Sequence, residues 1–438
     1  MTREMDFQVV ISEWLQSKLP DLIERNIDIP LHPKSIVSLI GGRRVGKTYL
    51  MYQLIKRLQK DIDRSNILYV NFEHDRLRNL DASDLDEMLK VFYMLSKPRE
   101  ENRIYLFLDE IHVVRDWDRW VRKIFDERLY HIFISGSSSK LLSREIATSL
   151  RGRSIDFIIF PFSFKEYLST IGFSESISEF TPYIKERGKI IGYLKEYLEF
   201  GGYPEVVLEK DVDMKVRLLR SYYEAVFYKD ILERYNISSP SLMDIFLRYC
   251  IDSHSKYVSI SKVYKYLKTL GYKVGKATLF DFLRYANEAF IIFPVEIYSY
   301  SIRDRKQYPR KIYILDTGMI KALNIDTSIG RLMENAVFIE LMRRSEYMKN
   351  FEVFYWKDFR QREVDFIIKR GIKVEELIQV SYASGLDEIN RREINGLVKA
   401  AEELGCKKLS IITWDLTDEI EKEGYKIRLV PIWMWLLS

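Results

Sequence analysis

The sequence predicts an α/β protein. It opens with a parallel sheet covered on both faces, and continues through a helical segment and a helix-and-hairpin segment into a second α/β unit. Three observations carry this reading. Short apolar runs alternate with helix-like stretches up to residue 160, the rhythm of strands joined by crossover helices. The alternation stops after Pro161, and strand-like runs return only from residue 291 onward. At 438 residues the chain is long enough for roughly two to four domains.

Residues 6–25 carry apolar side chains at helical spacing and end near Ile29-Pro30. Residues 35–40 form an apolar run read as a buried strand, which leads into GGRRVGKT and a helical stretch over 49–58. Further strand-like runs cover 67–70, 104–108, 132–134 and 155–160. Residues 162–235 read as helical throughout, broken by the turn Gly201-Gly202-Tyr203-Pro204. Residues 241–317 read as three short helices followed by two β-rich runs, 291–298 and 311–315, joined by a basic loop over 301–306. From residue 328 a helix precedes strands at 351–356, 364–368 and 377–380, a helix at 388–404 and a strand at 409–414.

Composition narrows the function classes. Two cysteines, Cys250 and Cys406, cannot build a disulfide scaffold or a cysteine-rich zinc site, and their apolar contexts predict buried thiols. Five scattered histidines do not form a zinc-protease pattern. No uncharged apolar stretch approaches the ~20 residues of a membrane span, and the acid-bearing N-terminus lacks an apolar signal core. The expectation is a cytoplasmic protein without membrane contact. A formal net charge of +5 is too mild to decide for or against nucleic acid; local distribution must decide.

The segment Gly41-Gly42-Arg43-Arg44-Val45-Gly46-Lys47-Thr48 matches G-x-x-x-x-G-K-[ST] in full, between a strand and a helix. Gly41 and Gly46 let the backbone turn its N–H groups toward phosphates, and the following helix, starting near Tyr49, points its positive end at the same place. Lys47 would neutralise the β- and γ-phosphates of ATP, and Thr48 would ligate Mg²⁺. The apolar strand over 104–108 ends in Asp109-Glu110. Asp109 would hold the Mg²⁺ shell and Glu110 would act as general base on the attacking water. The next strand ends in Ser135-Gly136-Ser137, where Ser137 is the favoured hydroxyl for the γ-phosphate or the water. Arg151 and Arg153 precede the fifth strand, where an arginine would complete a neighbouring subunit's site in trans.

In that order and spacing, the chain resembles the AAA+ ATPases. More narrowly it is similar to archaeal and bacterial AAA-family ATPases with a C-terminal nuclease-like domain, through FISGSSSKLL, RGRSIDFIIFPFSFKEYL, GGYPEVV, YILDTG, ENAVFIEL and REVDFII. The resemblance implies a P-loop AAA+ core (1–160), a helical lid (161–238), a winged-helix domain (239–325) and a small α/β nuclease-like domain of the PD-(D/E)xK kind (326–438). It also implies ATP and Mg²⁺ as ligands and a homo-oligomer with a trans arginine.

Residues 255–311 hold twelve Lys/Arg and four acids, a local excess of +8. On a winged helix this is the footprint of DNA-backbone binding, with Lys273, Lys276 and Thr278 near the recognition helix and Arg303, Arg305 and Lys306 on the wing. A nuclease of the implied fold needs acids converging on Mg²⁺ and a lysine beside the attacking water. Glu340 and Asp365 are the candidate metal ligands. The expected E-x-K is replaced by Gln379-Val380-Ser381, leaving Lys369 or Glu393 as substitutes, so cleavage is expected to be lost. Three functions remain open: a DNA-coupled ATPase, which leads; an ATP-regulated Mg²⁺-dependent nuclease; and a nucleotide-dependent protein-interaction switch.

Overall fold

The computed structural model describes residues 3–136, 150, 152–173, 184–299, 301, 305, 307–349 and 351–438. The chain divides into two compact units, Met1–Ile159 and Phe160–Ser438.

The first unit runs α1 (Arg3–Gln16), β1 (Ile36–Ile40), α2 (Lys47–Leu58), β2 (Ile67–Asn71), α3 (Ala82–Ser96), β3 (Ile104–Asp109), α4 (Trp117–Asp126), β4 (Tyr130–Gly136) and β5 (Ser154–Ile158). All five strands are parallel, in the order β2-β3-β4-β1-β5. β1, β3 and β4 are buried along their whole length, which is why they read as unbroken apolar runs rather than alternating ones. Helix α1 stops at Gln16, short of the expected residue 25. Pro20 explains the difference, because its ring and missing N–H cannot sit in a helix interior and the residue before it is pushed out of helical geometry. The chain beyond it stays attached through buried Arg25, Ile27 and Ile29.

The second unit begins with α5 (Phe164–Thr170), α6 (Ile184–Phe200), α7 (Pro204–Leu208) and α8 (Val212–Ala225), which continues as a wider helical turn over Val226–Glu233. Ser163 and Glu166 close the start of α5 as a reciprocal capping box. There follow α9 (Pro240–Asp252), β6 (Lys256–Val258), α10 (Ile260–Thr269), α11 (Lys276–Glu288), β7 (Ile292–Val295) and β8 (Arg310–Ile314). The strands pair antiparallel in the order β6-β8-β7. β6 has three residues, too short for a periodic signal, and sequence patterning missed it.

The rest comprises α12 (Gly318–Ala322), α13 (Ile329–Arg344), β9 (Glu352–Lys357), β10 (Glu363–Arg370), β11 (Lys373–Val380), α14 (Arg391–Leu404), β12 (Leu409–Thr413), β13 (Asp418–Lys422), β14 (Tyr425–Pro431) and α15 (Ile432–Leu437). Its mixed sheet has the order β13-β14-β12-β11-β10-β9. β13, DEIEK, is an exposed polar edge without apolar alternation, so neither it nor its partner β14 was read from the sequence.

The Gly201-Gly202 turn and the Leu315-Asp316-Thr317-Gly318 segment meet inside this unit. Buried Asp316 accepts hydrogen bonds from the Gly202 N–H at 2.7 Å and the Gly318 N–H at 2.9 Å. Gly201 has φ +78°, and a Cβ there would stand 1.6 Å from Asp316 Oδ1. The two motifs are therefore one packed joint. Cys250 and Cys406 are both buried, and burial raises the Cys250 thiol far above its ordinary range.

Candidate active site

The carboxyl ends of β1, β3 and β4 lie side by side, because β4 pairs with both β1 and β3. Open parallel sheets bind ligands at this edge. The loop leaving β1 is shaped by its backbone. Arg44 and Gly46 have φ of 62° and 95°. A Cβ on Gly41 would fall 2.3 Å from the Ile159 carbonyl oxygen, so only glycine fits. Gly42 and Val45 are buried, Arg43 lies 3.6 Å from Glu73, and the exposed Tyr49 ring meets Tyr52 edge to face. Lys47 is the first residue of α2 and is only 5% exposed. Its Nζ donates to the carbonyl oxygens of Gly41 at 3.1 Å and Gly42 at 3.0 Å, and lies 3.8 Å from Glu110 Oε1.

Thr48 Oγ1 donates to Asp109 Oδ2 at 2.7 Å, which joins the first motif to the second. Asp109 is fully buried. The Tyr69 hydroxyl also donates to Oδ2, at 2.9 Å, and Ser135 Oγ donates to Oδ1. Burial drives the Asp109 carboxyl above its usual range and the charge of Glu110 adds to this; the Ser135, Thr48 and Tyr69 bonds pull it back. Glu110 holds φ 53°, and its N–H donates to Ser135 Oγ at 3.0 Å. His112 Nδ1 lies 3.2 Å from Glu110 Oε2. Arg25 braces the loop from behind: its guanidinium donates to the Val45 carbonyl at 3.0 Å, and its backbone exchanges two bonds with Gln53.

These residues fit Mg²⁺ bound with a nucleotide. Mg²⁺ takes one or two protein oxygens and completes its octahedron with phosphate and water, and Thr48 with Asp109 supplies that number. Among the described residues no three His, Cys, Asp or Glu side chains converge on a cation.

Lys47, Thr48, Asp109 and Glu110 thus come together as the spacing required. Ser137 and Arg151 lie outside the described residues, as do Arg303 and Lys306. Arg153 is engaged within its own unit, in a two-point ion pair with Asp126 at 3.0 and 3.1 Å. Sequence reasoning missed Ser135, Tyr69 and Arg25. The available signal for the first two was a hydroxyl inside an otherwise apolar strand.

The basic segment divides on folding. Lys256, Lys262, Lys265, Lys268, Lys273 and Lys276 are exposed, and no acid occurs between residues 253 and 280. Lys268 and Lys276 both approach the Tyr264 ring, at 5.0 and 5.8 Å. In contrast, Arg284 pairs with Asp281 and Glu288, Arg310 pairs with Glu296, and Lys311 is buried. Among the described residues, six lysines on β6, α10, the loop that follows it and the start of α11 therefore carry the surface charge.

In the C-terminal sheet the candidate ligands separate. Glu340 accepts from both Arg343 and Arg344 and does not reach Asp365. The acid of α13 beside Asp365 is Glu334, six positions before Glu340. Between them sits Lys311 Nζ, 2.6 Å from Asp365 Oδ1 and 2.9 Å from Glu334 Oε1. Lys369, offered as a substitute lysine, pairs with Glu352 instead. Burial, with Ser381 opposing and Asp365 and Glu363 adding, lifts Glu393 to about 7. A divalent cation does not fit an acid pair already closed around an ammonium.

Residues 33–168 match the family described as an AAA domain, and residues 191–329 and 329–435 match two domains of unknown function. The chain is 35% identical to an uncharacterized protein of Methanocaldococcus jannaschii, with 99% of this chain and 95% of that protein aligned. An uncharacterized protein of Haemophilus influenzae is 27% identical, with 90% and 92% aligned. Among solved structures, the Aeropyrum pernix ORC2 protein aligns over 78% of this chain and 94% of its own at 9% identity, with a TM-score of 0.40. The Aeropyrum pernix ORC1 protein in complex with DNA aligns over 75% and 93% at 16% identity, with a TM-score of 0.30. Likeness of that size carries no function across. Among the described residues no helix is long and apolar enough to cross a membrane.

Proposed function

The chain belongs to the family of the Methanocaldococcus jannaschii protein, 95% of which it covers, and we propose that it is an AAA+ ATPase that couples ATP binding and hydrolysis to a DNA-binding arm. The observation that carries the ATPase reading is the Thr48–Asp109 bond with Lys47 and Glu110 beside it, four motif residues from two strand ends gathered at one point.

In this reading Lys47 leaves the Gly41 and Gly42 carbonyls to take the β- and γ-phosphate oxygens, and the loop N–H groups of residues 42–47 orient the phosphates. Mg²⁺, when bound, draws charge from the phosphate oxygens. Thr48 and Asp109 would hold that ion, and Glu110 would accept the proton of the water that attacks the γ-phosphorus as the bond to ADP breaks. Ser137 and an arginine, Arg151 or Arg153 of a neighbouring copy, complete the site. Arg153 would first have to exchange Asp126 for the phosphate.

The DNA reading is supported by the six exposed lysines on a module of three helices and a small antiparallel sheet, which we take as a winged helix following a helical lid. An acid-free lysine face releases counterions on binding a phosphate backbone, which makes binding steeply salt-dependent.

The test is the ATPase rate with and without duplex DNA, with Lys47→Ala and Glu110→Gln as controls and the DNA resolved on a gel. Turnover stimulated by intact DNA and abolished in both variants is expected. Full activity in Lys47→Ala would end the ATPase reading. Turnover indifferent to DNA, with no gel shift, would end the DNA reading and leave a protein-interaction switch.

A further inference from the structure

The family resemblance points to a metal nuclease in the C-terminal sheet, and the side chains there point elsewhere. Lys311 lies on β8, outside the segment where the fold would carry a catalytic lysine, and is 2% exposed. Its Nζ donates to Asp365 Oδ1 at 2.6 Å, lies 2.9 Å from Glu334 Oε1, and stands 5.7 Å from the centre of the Tyr257 ring. Each acid it joins accepts one further hydrogen bond. Asp365 Oδ2 accepts from the Val380 N–H at 2.9 Å, and Glu334 Oε1 accepts from the Tyr313 hydroxyl at 2.6 Å. Gln379, at the position expected to be acidic, accepts from the Asp365 N–H at 3.3 Å. The neighbouring Glu363 is held by the Tyr257 hydroxyl at 3.0 Å and by Lys357 at 3.4 Å.

We infer that the Lys311 ammonium stands permanently where a nuclease of this fold would hold its divalent cation, so that the C-terminal unit is a metal-free, non-cleaving module whose acid pair joins β8 to α13 and β10. Three physical points support this. An ammonium and a divalent ion cannot share two carboxylate oxygens a few ångströms apart without strong repulsion in a buried, weakly screened place. Mg²⁺ demands six oxygens at close range and keeps several waters, whereas here Lys311 Nζ takes one oxygen of each acid, the Val380 N–H holds Asp365 Oδ2 and the Tyr313 hydroxyl holds Glu334 Oε1. The closure is also geometric: Lys311 is 2% exposed and its Nζ takes one oxygen from each carboxylate, which leaves a second cation little room between them. The loss of E-x-K and the buried lysine are then one change: the catalytic lysine is gone from β11, and a structural one on β8 has taken over the acids.

The inference does not depend on the ATP site, and its test runs without nucleotide. Surface-lysine acetylation of the full wild-type chain is mapped by mass spectrometry with and without millimolar Mn²⁺. Lys311 is expected to stay unlabelled in both, while the six exposed lysines label fully. Labelling of Lys311 that appears only with Mn²⁺ would overturn the inference, because the ion would be displacing the ammonium. Mn²⁺ titrations of wild type and Asp365→Asn are expected to superimpose, and duplex and branched DNA are expected to stay intact with Mn²⁺. Mn²⁺ binding or cleavage lost in Asp365→Asn but retained in Lys47→Ala would overturn it. Lys311→Met, which keeps the apolar stem and frees both acids, is expected to acquire Mn²⁺ binding absent from wild type. A folded Lys311→Met that binds no Mn²⁺ would show that the ammonium is not what excludes the ion.

Discussion

Ser135→Ala removes one oxygen atom from the interior of the proposed ATP site, and the consequences can be worked out bond by bond. Ser135 is fully buried. Its hydroxyl donates to Asp109 Oδ1 and accepts from the Glu110 N–H at 3.0 Å. A hydrogen bond to a charged group contributes about 1.5–3 kcal/mol, and an orphaned buried N–H costs about 1–3 kcal/mol. The variant should therefore lose on the order of 3–5 kcal/mol of stability, a large share of the ~5–15 kcal/mol a domain commands. The loss has a pH signature. Burial already holds Asp109 above its ordinary carboxyl value, and the Ser135 bond is the largest force opposing that. A raised folded value means that ionising Asp109 penalises the native state as pH climbs from the unfolded value through the folded one. Removing Ser135 enlarges the penalty, so the stability deficit should be greater at neutral pH than in acid. For the same reason the acid limb of the ATPase profile should move to higher pH. At neutral pH the Mg²⁺ needed for half-maximal turnover should rise roughly tenfold to a hundredfold, the equivalent of the lost charged bond. Urea unfolding at several pH values and Mg²⁺ titrations of turnover measure both. If the Mg²⁺ titration and acid limb of Ser135→Ala overlay those of wild type, Ser135 does not govern the charge of Asp109 and the reasoning fails.

Tyr69→Phe keeps the ring packed against Trp14 and Tyr52 but removes the 2.9 Å bond to Asp109 Oδ2. The Mg²⁺ requirement should rise about tenfold, as expected for loss of about 1.5 kcal/mol, the lower end for a bond to a charged group, with kcat at saturating Mg²⁺ retained; a fall in kcat alone would count against it. Gly201→Ala forces a Cβ to 1.6 Å from Asp316 Oδ1 at φ +78°, so the turn must shift and give up the Gly202–Asp316 bond. Thermal unfolding should report a loss of about 3 kcal/mol, and a change below about 0.5 kcal/mol would show that the joint relaxes freely. Reversing Lys268 and Lys276 to glutamate should weaken duplex binding and flatten its logarithmic salt dependence by about two, read by fluorescence anisotropy across a salt series; an unchanged slope would place the DNA contact elsewhere.

The residues that could be read in advance are those whose chemistry demands a fixed local order. Gly41, Gly46, Lys47 and Thr48 needed only a strand, a tight turn and a helix start, all adjacent in the chain, and each lies where that logic put it. Asp109 and Glu110 were legible because two acids ending an apolar strand have few structural uses. The apolar runs of β1, β3 and β4 were equally plain, since burial on both faces leaves no alternation to misread. In contrast, β13 was invisible because a polar edge strand has no pattern of its own, and α1 was drawn too long because helical spacing continued past a proline that ended it.

What the sequence by itself determined is the glycine-bearing turn between β1 and α2, the acids that end β3 and the order of structural classes, since these rest on contacts within a few residues or on the burial of whole segments. What only the tertiary structure decided is which polar groups share a pocket. Ser135 reaches Asp109 because β4 lies beside β3, and Tyr69 does so because β2 flanks it on the other side. Lys311 meets Glu334 and Asp365 across 23 and 54 positions of chain, a pairing that no local spacing encodes. Folding turned Lys311 of the basic segment inward and, among the described residues, left six of its lysines outside. A buried charge must find its partner wherever the chain brings one, and so of the two acids expected to hold a metal ion, Asp365 holds a lysine and Glu340 holds two arginines.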